Sequence, residues 1–413
     1  MFGYALAAPS DLDAILASSP LDGAVVAATV TDPTGHVLYQ HNGNLRVSPA
    51  SNEKLFTAAF ALYELGDDYH PVTRIWKQPG KCFVQTTGDP SLSHDQLATV
   101  ATQLGLDGQD QVLVSEPYAP EIPEGWEIGD LTNAYAAPVA ALSVDQAAFA
   151  LWNIDGRPTL VPSNYGVKLT WIDRSNPKPD FSYDPIRRTL IAKGKFKKEK
   201  KVLDTLGEPS ADEAAASLLG HEFARSDDVP STAPDTTIQG PSLIDIVGKC
   251  LSNSDNIMAE NLLLMGAAHE GPLPEDCYPA ALQRLREFEQ RVIGISSGTV
   301  FPRDGSGLTR ANLVTSTAVT QVLNYAASKP DASAWKNCLA APGKGTLRSR
   351  LAGIPFQGKT GSLSHVTALS GYLTTKQGEN LTISVIVNGY SCTDRQARDS
   401  IDSFVKFLYE NGA

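Results

Sequence analysis

"SNEKLFTAAFALYELG", residues Ser51–Gly66, is the stretch from which the fold prediction starts. Its apolar side chains recur with the period of an α-helix, at Leu55, Phe56, Ala59, Leu62 and Leu65. Gly66 closes the pattern, because glycine readily takes the conformation that ends a helix. Upstream, two β-type runs flank the turn "DPTG", Gly23–Asp32 and His36–Gln40. The sequence therefore predicts an antiparallel hairpin followed by a helix that begins at Ser51.

Ser51 and Lys54 are three positions apart at this helix start, which puts both side chains on one face. A serine hydroxyl is a weak nucleophile at neutral pH and needs an adjacent base. A lysine can be that base if its surroundings lower its pKa from about 10.4. The N-terminus of the helix would also favour a developing oxyanion. Taken alone, the pair is more simply read as a capping serine beside a surface lysine.

Two further motifs carry groups of the same kind. "SDN", Ser254–Asn256, lies in a break between two helical patterns, and "KTG", Lys359–Gly361, stands at the head of a β-type run. A loop can hold a hydroxyl and a carboxamide over a cleft, and a strand edge can bind an extended peptide. Alone, each motif is explained by helix capping or by a solvated lysine. In this order, S-x-x-K, S-D-N and K-T-G form the set found in class A β-lactamases and penicillin-binding proteins.

Beyond the three motifs, the chain resembles the low-molecular-mass class C penicillin-binding proteins, the D-alanyl-D-alanine carboxypeptidase/endopeptidase family. The resemblance runs from about Gly23 to the C-terminus, through the blocks "SPASNEKLFTAAFAL", "TGDPSLS", "AYAAPVAALSVDQ", "LSNSDNIMAENLL", "RDGSGLTRANLVT", "GTLRSRL" and "GKTGSLSHVTALSGYL". Ser51 and Ser254 are 203 positions apart, more than a compact single-domain β-lactamase is expected to place there. The resemblance implies a serine peptidase that cuts D-Ala-D-Ala bonds of peptidoglycan stem peptides and is acylated by β-lactam antibiotics.

The resemblance also implies the catalytic roles. Ser51 attacks the carbonyl of the penultimate D-Ala, and Lys54 takes its proton. Ser254 passes a proton to the leaving D-Ala, while Asn256 orients Lys54 and the substrate amide. Water then hydrolyses the acyl-enzyme.

The KTG segment has the implied binding roles. Lys359 lends positive potential, and Thr360 hydrogen-bonds the terminal carboxylate of the substrate. The backbone N–H groups of Ser51 and Ser362 form the oxyanion hole, in which each donor typically contributes on the order of 10²-fold or more in rate. Gly361 is expected to let the substrate approach the backbone closely.

Three further positions match family residues that line a pocket for the side chain of diaminopimelate: Asp145, Phe149 and Arg310. A carboxylate that faces the substrate ammonium and an arginine that faces its carboxylate would suit a zwitterionic side chain. Asp145 is equally compatible with a turn cap. Ser364 stands where some relatives carry a longer polar residue, which leaves the fine substrate preference open.

The order of elements predicts an α+β fold in which helices pack on an antiparallel sheet. From about residue 68 to 205 the texture changes to short β-like runs with many turn residues. We therefore expect a penicillin-binding/β-lactamase-like transpeptidase domain formed by residues 9–67 and 206–413. Residues 68–205 would form a β-rich insertion, which we divide into two subdomains, the inner one spanning roughly residues 95–150.

Composition limits the partners. The formal net charge of -12 argues against a nucleic-acid partner, which basic patches would have to bind. Five scattered cysteines show no ligand-like spacing, so neither a metal nor another cofactor is expected, while a disulfide, for instance Cys250 with Cys277, stays open. No run of 18 apolar residues suggests a transmembrane segment. Met1–Ala8 ends in small residues like a shortened export signal, consistent with a periplasmic or envelope location, although an ordinary N-terminus is the alternative.

Two rival functions remain at this stage. A β-lactamase or esterase could use the same motifs, although no clear glutamate between SDN and KTG suggests itself for deacylation. A non-catalytic envelope protein could use the β-rich insertion to bind cell-wall polymer. A Ser/His/Asp hydrolase is disfavoured, because the nearest string to a nucleophile elbow, "DGSGL" at 304–308, does not fit that signature and reads as a turn. The basic run Lys193–Lys201 is read as a solvated strand face, with contact to an anionic polymer as the alternative.

Overall fold

The computed structural model describes residues 9–17, 19–106, 108–163, 166–173 and 178–413. Met1–Ala8, to which the sequence assigns the shortened export signal, lies outside the described residues. The described part forms ten α-helices: α1 Pro9–Leu16, α2 Lys54–Leu65, α3 His94–Gln103, α4 Ala211–Ala216, α5 Leu243–Asn253, α6 Asn256–Ala267, α7 Cys277–Phe288, α8 Ser316–Ala327, α9 Ala332–Cys338 and α10 Asp394–Asn411.

Sixteen strands complete the regular structure of this part of the chain. They are β1 Val25–Thr31, β2 Val37–His41, β3 Val72–Gln78, β4 Lys81–Thr86, β5 Gln111–Ser115, β6 Ala148–Ile154, β7 Arg157–Val161, β8 Lys168–Ile172, β9 Asp180–Asp184, β10 Thr189–Lys193, β11 Lys200–Gly207, β12 Glu222–Arg225, β13 Thr236–Gln239, β14 Phe356–Leu363, β15 Val366–Thr374 and β16 Asn380–Asn388.

A five-stranded antiparallel sheet, ordered β14-β15-β16-β1-β2, forms the centre of the catalytic part. The predicted hairpin is confirmed as β1 paired with β2. Nearly every residue of β1 and β16 is buried, because helices cover both faces of the sheet. Successive side chains of a strand point to opposite faces, so Val26 and Ala28 pack with α10 while Ala27 packs with the larger helical cluster. The predicted α+β class is confirmed.

Helices α2 and α6 form the middle of the larger cluster. α6 is buried over its whole length from Ile257 to Ala267, and α2 from Lys54 to Ala61. A helix that is apolar on all sides needs partners on all sides, which the surrounding helices and the sheet supply. These two helices begin at Lys54 and Asn256, so two deeply buried helices carry two of the motif residues at their first turns.

Three further sheets, one of five strands and two of three strands, are formed between β2 and α5. Their orders are β12-β5-β4-β3-β13, β11-β6-β7 and β8-β10-β9, and they share a third apolar core. β12 and β13 come after residue 206, yet they pair with β5 and β3 of the segment 68–205. We therefore propose that the insertion runs to about residue 240 rather than to residue 205. Its division into subdomains stays a proposal.

All five cysteines are free thiols, and the bridge that the sequence left open between Cys250 and Cys277 is not formed. Cys250 instead packs in the helical core, with its Sγ 3.6 Å from the carbonyl oxygen of Asp255. Of the helices in the described residues, none combines the length and the apolar character that a bilayer crossing demands.

Candidate active site

Ser51 lies in a short 3₁₀ turn, Ala50–Glu53, and the α-helix proper begins only at Lys54. The prediction that α2 begins at Ser51 therefore needs this correction. In a 3₁₀ turn, residues three apart are eclipsed, so Ser51 and Lys54 face each other more directly than on an α-helix. The preceding residue, Ala50, has a φ of 47°, a left-handed conformation that is uncommon for a residue with a side chain and is often found at functional sites.

Lys54 is completely buried, and its Nζ has three oxygen neighbours. The atom lies 3.0 Å from Ser51 Oγ, 2.7 Å from Asn256 Oδ1 and 2.6 Å from the carbonyl oxygen of Ser306. Burial lowers the pKa of the Lys54 ammonium from its ordinary value, against the opposing effect of nearby acidic groups. A neutral amine can donate its two protons to the amide and carbonyl oxygens, which leaves its lone pair for the hydroxyl of Ser51.

Ser254 forms the junction between α5 and α6 in a left-handed conformation, with φ 64°. Its Oγ accepts a hydrogen bond of 2.7 Å from Lys359 Nζ, which also donates to the carbonyl oxygen of Thr360. Lys359 is buried rather than solvated, and burial, followed by the charge of Lys54, holds the pKa of its ammonium well below the usual range. The three motifs thus meet at one place, through contacts of Lys54 with Asn256 and of Lys359 with Ser254.

β14 is the edge strand of the central sheet, as the KTG motif predicts. Gly358 directs both its N–H and its C=O away from β15, where Ala340 pairs with them. Because alternate residues of a strand point their backbone groups to the same side, Thr360 and Ser362 also direct theirs to this edge. The N–H of Ser362 therefore faces the same space as Ser51 Oγ, which lines a cleft with it.

Gly361 owes its identity to a contact within the protein. A Cβ at this position would lie 2.7 Å from the carbonyl oxygen of Pro49 and 3.2 Å from Ala50 Cβ. The turn that carries Ser51 therefore packs directly against β14. Gly307 also packs closely against this turn. A Cβ at position 307 would lie 1.9 Å from the carbonyl oxygen of Ala50, and the φ of Gly307 is 80°.

A cleft of about 650 Å³ opens beside Ser51, Ser254 and Ser362, and we call it the Asp130 cleft. Asp130, Tyr135 and Arg310 also line it. The Tyr135 hydroxyl donates a 2.6 Å hydrogen bond to Asp130 Oδ1, and the backbone carbonyl of Tyr135 accepts one of 2.9 Å from Asn256 Nδ2. Arg310 Nη1 donates to the carbonyl oxygen of Ser364. The insertion thus supplies a carboxylate and an aromatic ring to the same cleft as Arg310.

Asp145 and Phe149 are not among the residues that line this cleft. Phe149 is 1% exposed and packs edge-on against Tyr183, because the alternation along β6 points it into the core of the insertion. Asp145 accepts a 3.3 Å hydrogen bond from the backbone N–H of His94, the first residue of α3, and so makes a contact that is distant in the chain. The structure therefore brings together Arg310 and Asp130, whereas the sequence paired Arg310 with Asp145.

Four buried acidic side chains lie behind Lys54, and sequence reasoning missed them: Glu53, Glu260, Glu289 and Asp304. Burial raises the pKa of Glu260 to about 8, with Asp304 as the next cause. Burial also raises the pKa of Glu53 well above its usual range, and neither of its carboxyl oxygens has a hydrogen-bond partner among the described residues. A signal was available for Glu260, an acid within the largely apolar run of α6.

Glu260 and Asp304 shape the loop 304–309, which the sequence analysis read only as a turn. Glu260 accepts hydrogen bonds from the backbone N–H groups of Gly305 and Ser306, both of 2.8 Å. Asp304 accepts from those of Gly307 and Thr309. These bonds fix the carbonyl of Ser306, which is the acceptor for Lys54 Nζ.

Comparisons with known proteins give the family of the chain. A model of the D-Ala-D-Ala carboxypeptidase 3 (S13) family matches residues 8–164 and 228–410. The D-alanyl-D-alanine carboxypeptidase of Actinomadura sp. (strain R39) is 28% identical over an alignment of 453 positions, which covers 92% of this chain and 81% of that protein.

Solved structures show the same fold. The crystal structure of penicillin binding protein 4 (dacB) from Haemophilus influenzae superposes with a TM-score of 0.78 at 23% identity, and covers 98% of this chain and 100% of that one. A second structure of that protein, in complex with a β-lactam, gives a TM-score of 0.74 at 22% identity over 98% and 99% of the two chains.

Proposed function

The chain belongs to the D-Ala-D-Ala carboxypeptidase 3 (S13) family and is a serine DD-peptidase of peptidoglycan, and from this premise we propose that Ser51 is its nucleophile and Lys54 its general base. The observation that carries the proposal is the set of oxygens around Lys54 Nζ. Two acceptors, Asn256 Oδ1 and the Ser306 carbonyl, can bind both protons of a neutral amine, and the third neighbour is the Ser51 hydroxyl.

Acylation follows from this arrangement. Ser51 Oγ bonds to the carbonyl carbon of the penultimate D-Ala as its proton moves to Lys54 Nζ. The backbone N–H groups of Ser51 and Ser362 donate hydrogen bonds to the carbonyl oxygen and stabilise its negative charge. When the C–N bond breaks, Ser254 Oγ, which Lys359 holds in position, gives its proton to the leaving amine and receives in its place the proton that Lys54 took from Ser51. Lys54 is thereby neutral again. Water then attacks the acyl-enzyme and returns Ser51 to its hydroxyl form.

The terminal carboxylate of the substrate is assigned to the end of the site beside Thr360. The buried Lys359 supplies positive potential there, and Thr360 Oγ1 lies 2.8 Å from Thr346 Oγ1, so the two hydroxyls form a small polar cluster. The outward N–H and C=O groups of β14 suit a substrate that binds as an added strand. Gly361 allows β14 to pack closely against the turn that carries Ser51. This packing keeps the hydroxyl of Thr360 near the reacting groups.

The Asp130 cleft is assigned to the part of the stem peptide that becomes the acyl group. Asp130 and Arg310 offer opposite charges to a zwitterionic side chain, as in diaminopimelate. Asp130 and Tyr135 here take the roles that the sequence analysis gave to Asp145 and Phe149. Cleavage of cross-links as well as of free stem ends belongs to the same proposal, as do a periplasmic or envelope location and acylation by β-lactams, which the complex of the Haemophilus influenzae protein supports.

Covalent labelling tests the proposal. We expect a fluorescent penicillin to label the wild-type protein. The mass of the peptide that contains Ser51 should increase by that of one penicillin molecule. Ser51→Ala should abolish the label, whereas Ser48→Ala, three residues upstream and outside the proposed chemistry, should retain it. Normal labelling of Ser51→Ala would refute the assignment. A long-lived adduct separates a peptidase from a β-lactamase, which would release the opened antibiotic rapidly.

A further inference from the structure

A second cleft, of about 860 Å³, also contains the proposed catalytic residues Ser51 and Ser254. It is rich in basic side chains, although the chain as a whole is acidic. It shares Ser51, Ser254 and Ser362 with the Asp130 cleft, but its other residues are Thr360 of β14 and residues of the segment before β14 and of α10. We call it the basic groove, after its cationic side chains: Arg348, Arg350, Arg395, Arg398 and Lys406. Its acidic side chains are Asp399 and Asp402.

The charges in the basic groove do not cancel. Arg350 forms a largely buried pair of 2.7 Å with Asp402, and Arg395 lies 3.8 Å from Asp399. Among the residues that the structure describes, no ion pair involves Arg348, Arg398 or Lys406, all of which are exposed. Three uncompensated cations thus line one groove of a chain whose formal net charge is -12. A groove with one sign of charge concentrates ligands of the opposite sign.

The position of the basic groove relates it to the leaving group. Thr360 and Thr346, the proposed site of the substrate's terminal carboxylate, line the groove together with Arg348. The Asp130 cleft, which holds the acyl part in our proposal, also contains Ser51 but none of these three residues. A peptide that continues past the scissile bond would therefore enter the basic groove.

The basic groove is larger than the removal of a terminal D-alanine requires. A free D-alanine leaving group is one small amino acid, whereas a cavity of several hundred Å³ is the usual size for a much larger ligand. In a cross-link, the leaving amine belongs instead to a second stem peptide, which carries its own free carboxylates. Those carboxylates are the charges that Arg348, Arg398 and Lys406 can bind.

We propose that the basic groove, through Arg348, Arg398 and Lys406, is a binding site for the acidic second peptide of a cross-link and gives the enzyme its preference for cross-linked over uncross-linked substrate. The inference rests on the proposed function, because it takes the scissile bond to lie at Ser51. Binding there acts before bond cleavage, by raising the occupancy of the cross-linked substrate and its rate of encounter. The chemistry of hydrolysis is unchanged.

The test compares three substrates with one triple variant, Arg348→Gln/Arg398→Gln/Lys406→Gln. The substrates are a cross-linked muropeptide dimer, the same dimer with the carboxylates of its leaving peptide amidated, and a monomeric pentapeptide. We expect kcat/KM of the triple variant to fall about tenfold on the free-acid dimer, as three exposed charge contacts typically contribute. On the amidated dimer and the pentapeptide it should change less than about twofold, and added salt should weaken only the wild-type activity on the free-acid dimer.

A matched control removes three positive charges elsewhere. Lys197→Gln/Lys198→Gln/Lys201→Gln changes exposed lysines of the insertion by the same total charge and should leave all three activities at wild-type values. Penicillin labelling of Ser51 in each variant reports the catalytic centre separately, so absence of labelling in the wild-type protein would refute the proposed function itself.

Two outcomes would overturn the inference while labelling stays normal. One is an equal loss on all three substrates, which would assign the arginines and the lysine to general catalysis or stability. The other is undiminished cleavage of the free-acid dimer by the triple variant. If that variant also lost binding to soluble teichoic acid, the groove would be a site for an anionic wall polymer instead.

Discussion

The protonation state of Lys54 decides how the proposed mechanism depends on pH. The ammonium form has a third proton that would be donated to Ser51 Oγ, and it then cannot accept the proton of that hydroxyl. Burial lowers the pKa of Lys54, so the neutral, basic form appears at lower pH than for a solvated lysine. Because this form grows as pH rises, the acylation rate should increase with pH up to a plateau.

Lys54→Arg tests whether the residue acts as a base or only as a charge. An arginine keeps its positive charge and cannot be deprotonated at the pH of the assay. We expect its acylation rate by a β-lactam to fall by roughly 10²–10⁴-fold, the usual contribution of a general base, and the rise with pH to disappear. Stopped-flow acylation over a pH series measures both, and thermal unfolding controls for the larger side chain. Retention of most of the rate would show that Lys54 works through its charge.

Sequence reasoning reached the three motifs because each places a reactive side chain at a fixed local spacing. Ser51 and Lys54 are one turn apart, and Asn256 follows Ser254 at a helix junction, so local geometry suffices. Asp130 and Glu260 were missed because their importance depends on residues far away in the chain. Asp130 lines the same cleft as Arg310, and Glu260 binds Gly305 in a loop. Phe149 was misplaced because motif similarity carries no information on which face of β6 is buried.

At the scale of elements, the junction of α5 and α6 positions the SDN motif. α5 ends in the left-handed Ser254, and Asp255 caps α6 by accepting a 2.9 Å hydrogen bond from the N–H of Met258. The cap therefore fixes the residue on each side of it, since Ser254 precedes it and Asn256 is the first residue of α6. The left-handed conformation of Ser254 is stabilised by the buried helix α6 that follows it.

Removal of this cap should affect both stability and reaction rate. Loss of an N-cap side chain costs about 1 kcal/mol, so Asp255→Ala should lower Tm by roughly 2–4 °C in a domain of this size. Acylation should also slow, because the cap no longer fixes the positions of Ser254 and Asn256. Asp255→Asn retains a capping oxygen and should stay near the wild type in calorimetry and in the acylation assay. Equal behaviour of the two variants would show that the charge of Asp255, not its cap, matters.

The elements themselves were predictable to different extents. The hairpin and α2 follow from alternation and helical period, which are local properties. The 3₁₀ turn before Lys54 was not predictable, because it depends on contacts of Pro49 and Ala50 with Gly361 and Gly307. Likewise, β12 and β13 pair with strands more than 100 residues earlier in the chain. The sequences of β12 and β13 do not indicate which strands they pair with.

At the scale of the whole molecule, the insertion takes part in the site as well as lying beside it. Trp126 Nε1 donates a 3.0 Å hydrogen bond to Asp304 Oδ2, and the carbonyl of Tyr135 accepts from Asn256. Asp304 in turn holds the loop whose Ser306 carbonyl binds Lys54. A chain of direct contacts therefore leads from the insertion to the proposed base.

Trp126→Phe tests this connection with a small change. The variant keeps an aromatic ring but loses the bond to the Asp304 carboxyl, and a buried hydrogen bond of this kind contributes about 1.5–3 kcal/mol. We expect lower stability in urea and, in addition, slower acylation by a β-lactam, because the loop 304–309 is less firmly held.

Trp76→Phe is the matched control for that measurement. Trp76 is also buried and donates through Nε1, at 2.9 Å, to the carbonyl oxygen of Thr232, but it lies in the sheet of the insertion away from the cleft. Its loss should lower stability and leave the acylation rate of the folded protein unchanged. If both variants lose stability and neither loses rate, the insertion stabilises the molecule without positioning Lys54. A loss of rate confined to Trp126→Phe would instead make the insertion a part of the catalytic apparatus, because only that tryptophan contacts the loop that binds the proposed base.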